Sequence, residues 1–348
     1  MNLLFSAPRA ALAWLGLATA TFAAHAATLT VPTDHASIQA AIDAAAPGDK
    51  VQVLPGVYAE NLNFRGKAIE VVGKRGYRQT RIVGAPNAPV VLMDSGETRA
   101  SQLSGFTIEG GVGFYGGGVD LAGASPTIRH NRFIGNSGAF ASAIGGNGSS
   151  PLIEHNLFEQ QNCFIGDFLS GVLVFINYSS PRIVSNIIHG NPCTAIDMVL
   201  PEGTEPLVAN NTLVGNDTGI RVDARVPTRL QRYQNNILSG HRLGLSVLFL
   251  SPGQEPSFEH NLLHANGQDY DGIPSRTGQD GNRAADPLFV DAKRGNFRLG
   301  AGSVGIDTGK RLPGSKASQD YYGAPRVSDG DLDGQARIDI GAAEFTAP

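Results

Sequence analysis

The chain has 348 residues, of which 44 are glycine and only 17% are charged, with a formal net charge of −4. That composition suits one elongated domain better than two compact ones, and with no basic run to track phosphates it argues against a nucleic-acid partner. Beyond the N-terminus no stretch reaches the ~18 apolar residues that suggest a membrane span.

Met1 to Ala26 reads as an export signal: Arg9 supplies the positive end, Ala11 to Ala24 is an apolar run, and Ala24-His25-Ala26 offers a small-x-small cleavage site. Its removal takes the formal charge from −4 to −5, because Arg9 is its only charged residue. The mature protein is therefore expected in the periplasm or outside the cell. Ser37 to Ala46 predicts a short helix with Ile38, Ala41, Ile42 and Ala45 on one face, stopped by Pro47-Gly48-Asp49. Short β-rich runs follow at 51–58, 68–73 and 80–84.

Six asparagines then recur at steps of 25, 30, 25, 25 and 25 residues: Asn131, Asn156, Asn186, Asn211, Asn236 and Asn261. Each has an apolar or aromatic residue three positions earlier (Ile128, Ile153, Ile183, Val208, Tyr233, Phe258) and another two later (Phe133, Phe158, Ile188, Leu213, Leu238, Leu263). Self-similarity at such a period means stacked coils, each lap of chain one layer around a shared axis. Gly, Pro and Asn at fixed offsets disfavour helical repeats. A leucine-rich repeat also carries a central Asn but wants Leu five and eight positions before it, where Pro and Gly mostly stand here. The asparagine is read as a left-handed bend between two strands, its amide bonding the same amide one coil away at about 4.8 Å. A Gly-Asn pair four and five positions later marks a second bend. An exposed coil edge invites aggregation, so the N-terminal helix reads as a cap.

Cys163 and Cys193 each lie seven positions after their repeat's Asn, so neighbouring coils bring them to roughly 5 Å, within disulfide range; stacked free thiols are the alternative. His130, His155 and His260 share the position before the Asn, and their spread over several coils makes them turn-flanking residues rather than ligands of one ion. Loop 224–234 adds Arg225, Arg229 and Arg232, a basic rim or simply solvated charge. Near the C-terminus, Asp329, Asp331 and Asp333 with Gly334 match the first half of a calcium loop, and Asp339 or Glu344 would have to close it because Ile340 stands where the bidentate acid belongs. An acidic surface turn is the plainer alternative.

Residues 37–73, SIQAAIDAAAPGDKVQVLPGVYAENLNFRGKAIEVVG, resemble the opening of secreted right-handed parallel β-helix proteins of the pectate-lyase-like superfamily. Residues 286–309 and DIGAAEF at 339–345 are similar to the closing segment of bacterial β-helix proteins named for a choice-of-anchor Q region. The resemblance implies architecture more than activity, since this fold serves lyases, hydrolases, adhesins and inert spacers. It also implies that work is done on the outer face of one sheet, here the third strand of each coil. Taking Val119, Ile144, Val172, Ile196, Ile220 and Leu245 as inward makes Asp120, Gly145, Leu173, Asp197, Arg221 and Ser246 outward, followed by Ala122, Asn147, Phe175, Val199, Asp223 and Leu248. Asp197 and Arg221 become neighbours and Asp223 a diagonal one, a pair of carboxylates around an arginine suited to acid–base work on a uronate glycoside. A surface ion pair is the plainer reading. Asp120, Asn147 and Arg225 fall on the same side, with Phe175, Tyr178 and Tyr233 as sugar-stacking rings. The Asn-Thr-Asp, Asp-Asp and Arg-Ile-Lys signatures of polygalacturonases are absent.

The expected fold is thus all-β: a single-stranded right-handed parallel β-helix (solenoid) with a short N-terminal capping helix. Residues 1–26 form the signal peptide, 27–310 the β-helix with its cap and 311–348 the closing segment. The expected function is that of an exported protein binding or cleaving an acidic polysaccharide, by lyase or hydrolase chemistry, with calcium as candidate cofactor. A non-catalytic surface or periplasmic adhesin or structural β-helix is the alternative.

Overall fold

The computed structural model describes residues 26–163, 169–226, 228, 230–250, 253–312 and 319–346. The export-signal expectation, all but Ala26, lies outside these residues, as do Arg229 and positions 164–168 of the 30-residue step.

Each lap visits three parallel sheets in turn. Sheet I has ten strands from Thr28–Val31 to Ser257–Glu259, sheet II ten from Gly56–Ala59 to Arg283–Ala284, and sheet III nine from Leu62–Asn63 to Gln268–Asp271. Every pairing within them is parallel. Strands of three residues suffice because only the middle residue points inward: Ile128, Ile153, Ile183, Val208, Tyr233 and Phe258 form one buried column, Phe133, Phe158, Ile188, Leu213, Leu238 and Leu263 another. Like stacks on like along the axis, with the Phe133 and Phe158 rings 4.8 Å apart.

Both corners flanking sheet II use one device. The residue before each inward amide takes the left-handed conformation, and the amide bonds the next coil. At the first corner the left-handed residues are His130, His155, Ser185, Asn210, Asn235 and His260, with φ between 52° and 56°. This corrects the expectation that the ladder asparagine itself bends; its neighbour does, in residue types where Asn and His tolerate positive φ best. The asparagine is left free to point inward: Oδ1 of Asn186 accepts from the Asn156 backbone N–H (2.9 Å) and Nδ2 (3.1 Å), and Nδ2 of Asn186 donates to Asn211 Oδ1 (3.0 Å). The ladder continues one rung past Asn261 to Asn282. The second corner stacks Asn136, Gln161, Asn191, Asn216, His241 and Asn266 in the same way.

The helical cap spans Ile38–Ala44, with Ser37 Oγ accepting from Ala40 N and the Glu60 carboxylate accepting from Ile38 N and Gln39 N. Ile38, Ala41 and Ile42 close the end of the core. Cys163 and Cys193 form a disulfide across neighbouring coils, Cα atoms 5.9 Å apart.

The last parallel strand of the coils is Arg283–Ala284. From there the chain forms an antiparallel hairpin, Phe289–Asp291 with Asn296–Leu299, and runs back along the outside of the solenoid. Leu299, Ile306 and Ile340 cover Ile237 and Leu262, and Phe297 with Ala342 covers Ile187. Asn235 Oδ1 accepts from Lys310 N, and Thr212 Oγ1 from Ala342 N.

Candidate functional site

Sheet III brings Asp197 beside Arg221 in register and places Asp223 diagonally, next to Val199. Arg221 grips both carboxylate oxygens of Asp197, with Nε to Oδ1 at 3.1 Å and Nη2 to Oδ2 as a second, shorter bond. Asp197 is only 1% exposed. Burial raises its carboxyl above the ordinary value while the arginine opposes that rise. Asp223 holds Arg225, Oδ1 to Nε at 3.0 Å, and the Arg225 guanidinium lies 5.3 Å from the Phe249 ring centre. A small hollow of about 40 Å³ joins Asp197, Arg221, Asp223 and Phe249. A wider one of about 290 Å³ runs on past Val199 and Asp223 to Arg225 and Tyr178, whose ring is 79% exposed.

Other residues expected on this face are placed differently. A bulge between sheet III strands Ala141–Asn147 and Gly171–Ile176 shifts the register by one, so Leu173, not Val172, aligns with Ile144 and Ile196. Phe175 therefore points inward and is fully buried. Tyr233 is also fully buried, its hydroxyl 3.0 Å from Gln231 Oε1, because it belongs to the inward column of sheet I. Neither ring can meet a sugar. Asp120 faces outward but is roofed by its own preceding loop, accepting from Tyr115 N at 3.0 Å and Gly116 N at 3.4 Å. Burial raises its carboxyl, and those backbone donors oppose the rise. Asn147 is tied up between Tyr115 Oη (2.7 Å) and Asn177 Nδ2 (2.6 Å).

A larger cleft, about 610 Å³, lies on sheet II, where sequence reasoning placed nothing. The closing segment builds one wall with Arg294, Tyr321 and Tyr322, and the coils supply the floor with Arg81, Glu109, Arg132, Glu159 and His189. Glu159 accepts from Arg132 Nε at 2.6 Å and meets His189 Nε2 at 3.1 Å; the histidine first and the arginine after it hold this carboxyl down at about 2 against the cost of burial. Arg81 pairs with Glu109, and Arg294 reaches Asp291 just outside the lining at 3.4 Å, which leaves Arg78 without an acidic partner in the lining. The outward register of sheet II carried a signal: Glu159 and His189 are polar among outward residues Leu157, Ile187, Ile237 and Leu262, whose apolar character requires a cover.

The family comparison agrees with this architecture. The family described as "Right handed beta helix region" matches residues 117–283. The chain is a right-handed parallel β-helix. Among solved structures it is similar to that of the pectate lyase Pel9A, at 14% identity and a TM-score of 0.43 over 88% of this chain and 90% of that one. A pectin methylesterase in complex with a hexasaccharide is similar at 10% identity and a TM-score of 0.37, over 75% of this chain and 92% of that one. A PL6-family alginate lyase, AlyGC, matches at 12% identity and a TM-score of 0.23, over 88% and 60%. No curated protein sequence matches the chain.

In the C-terminal loop, Asp329 and Asp331 group with Asp307, one oxygen from each within 4.8 Å of the others. The expected ligands Asp333 and Asp339 are occupied elsewhere. Asp333 meets Arg337 Nη1 at 3.3 Å, and Asp339 is buried, accepting from Asp307 N and Phe345 N. Among the described residues no helix is long and apolar enough to cross a membrane.

Proposed function

We propose that the β-helix binds an acidic polysaccharide in the cleft between sheet II and the closing segment. The observation that carries this reading is the cleft's lining: four arginines against two glutamates, with Tyr77, Tyr321 and Tyr322 beside them. Guanidinium groups pair with uronate carboxylates, and tyrosine rings offer flat faces with a polar tip to sugar rings, although Arg298 already covers one face of Tyr322 at 3.6 Å from its ring centre. The Glu159–His189 pair supplies an imidazole oriented by a carboxylate, the arrangement of a general base. Lyase-type chemistry there has His189 taking the proton beside the uronate carboxylate. The C–H electrons form the new C=C bond, and the glycosidic C–O bond breaks with its electron pair leaving on oxygen, which takes a proton.

The sheet III face is a second reading, favoured by the continuous path from Arg221 past Asp223 to Arg225 and exposed Tyr178. Asp197 lies beneath its arginine, so this face fits binding, as in an adhesin, better than cleavage. Action outside the cytoplasm accords with the disulfide, which an oxidising compartment maintains. The acidic group of Asp307, Asp329 and Asp331 belongs to neither face.

The test is calorimetric binding of uronate-rich polysaccharides together with the ultraviolet absorbance of unsaturated products. Tyr322→Ala is expected to weaken binding roughly tenfold, the loss of one stacking contact. His189→Ala abolishes any absorbance while keeping most affinity. If Arg225→Ala and Tyr178→Ala weaken binding and Tyr322→Ala does not, the sheet III face is the site. Absence of binding by every uronate polymer removes both readings.

A further inference from the structure

Asp307 lies in the closing segment, 22 positions before Asp329, yet the fold brings the two together with Asp331. Two oxygens bound to one calcium at 2.3–2.6 Å lie no more than about 5 Å apart, and the three carboxylates meet that limit. Carboxylates alone repel at such distances, so proximity is not an argument for a ligand. The hydrogen bonding is. Asp307 is 2% exposed; its Oδ2 accepts from Gly330 N and Asp331 N, both at 2.8 Å, whereas its Oδ1 is buried and accepts nothing. Asp329 repeats the pattern, with Oδ2 taking Gly334 N at 2.9 Å and a buried Oδ1 that accepts nothing.

A buried carboxylate oxygen without a donor is costly unless a cation meets it. Two arginines of this segment are committed elsewhere, Arg337 to Asp333 and Arg326 to Glu344. Backbone donors have thus fixed one oxygen of each aspartate and left the other buried without a donor.

We propose that Asp307, Asp329 and Asp331 form a calcium site that clamps the 329–334 loop onto Asp307 and so ties two distant stretches of the closing segment together. All-oxygen donors with no imidazole or thiolate select a hard cation. An irregular, glycine-containing loop that offers extra carbonyls suits the flexible coordination of calcium better than the strict octahedron of magnesium. The site differs from the linear loop motif in the sequence: a ligand from a distant segment replaces Asp333 and Asp339. Binding to the folded state alone stabilises it by mass action.

The test uses the full chain, stripped with chelator and titrated with calcium chloride by calorimetry, with thermal melting alongside. One calcium per chain is expected, with a melting temperature that climbs as calcium rises and hydrogen exchange that slows over 329–334. Asp331 is exposed, so Asp331→Asn is expected to fold normally in chelator, with an unchanged melting temperature there, and to bind calcium at least tenfold more weakly. Asp333→Asn changes affinity less than twofold. Absence of heat and of a melting shift at millimolar calcium overturns the site. So does an Asp331→Asn protein that binds as tightly as the parent, or a Asp333→Asn protein that loses as much. An equal melting shift with magnesium overturns the choice of metal.

Discussion

At the scale of residues, the corner amides are the most demanding positions in the chain. Asn186 satisfies the Asn156 backbone N–H and Nδ2, and donates to the Ile153 carbonyl and to Asn211. Its removal strands buried donors that water does not reach. Asn186→Ala is expected to cost about 2–4 kcal/mol, read as a drop in the urea midpoint. His241 takes an amide's place in the second ladder, its Nδ1 accepting from Asn216 N at 3.0 Å and its Nε2 lying 3.1 Å from the Leu213 carbonyl. Burial lowers its pKa to about 4 from 6.5, so the folded imidazole stays neutral where the unfolded one is charged. Protons then bind preferentially to the unfolded chain, and stability falls as the pH drops from 6.5 toward 4, by on the order of 3 kcal/mol from this residue. His241→Asn is expected to remove that share of the loss, leaving what His130 and half-buried His155, whose pKa values desolvation also lowers, contribute. Equal acid sensitivity of parent and variant in urea titrations at pH 7 and pH 4 would refute the assignment.

At the scale of elements, each strand is three to seven residues long across most of the solenoid and has meaning only in its stack. The period of the sequence set which residue of each strand faces inward, because one face of every strand must be apolar. Register slipped where the pattern was ambiguous: Val172, Leu173 and Val174 are all apolar and all buried, so nothing in their chemistry marks which one fills the core. The bulge after Ala141 decides it, and with it the burial of Phe175. The disulfide staples this same region, closing a separation of 30 residues. Replacing both cysteines by serine is expected to cost about 2–4 kcal/mol, mostly by freeing the unfolded chain. Chevron or equilibrium unfolding with and without reductant measures it; a parent protein indifferent to reduction would contradict the estimate.

At the scale of the whole molecule, the closing segment is the element that turns a plain tube into a shaped surface. It covers the outward apolar residues of sheet II and raises one wall of the cleft. Leu299 packs with Ile237, Leu262, Ile306 and Ile340 at the centre of that contact. Leu299→Asp places a charge there and is expected to release the segment while the ladder-bonded coils persist. Limited proteolysis should then cut within 289–346 at least tenfold faster, and polysaccharide binding in the cleft should weaken with it. Unchanged proteolysis would show that other contacts hold the segment.

The sequence by itself determined the coil, its inward columns, the stacked corner amides and the reach between Cys163 and Cys193, because a repeat of fixed length forces equivalent residues to lie one strand spacing apart. It also placed Asp197, Arg221 and Asp223 on one face, since alternation along a strand is local. Only the tertiary structure decided what covers what. Asp307 joins Asp329 and Asp331, and Tyr321 and Tyr322 meet Arg132 and Glu159. Those meetings depend on how a segment without the repeat folds back over the coils, and no period in the sequence encodes the place where it lands.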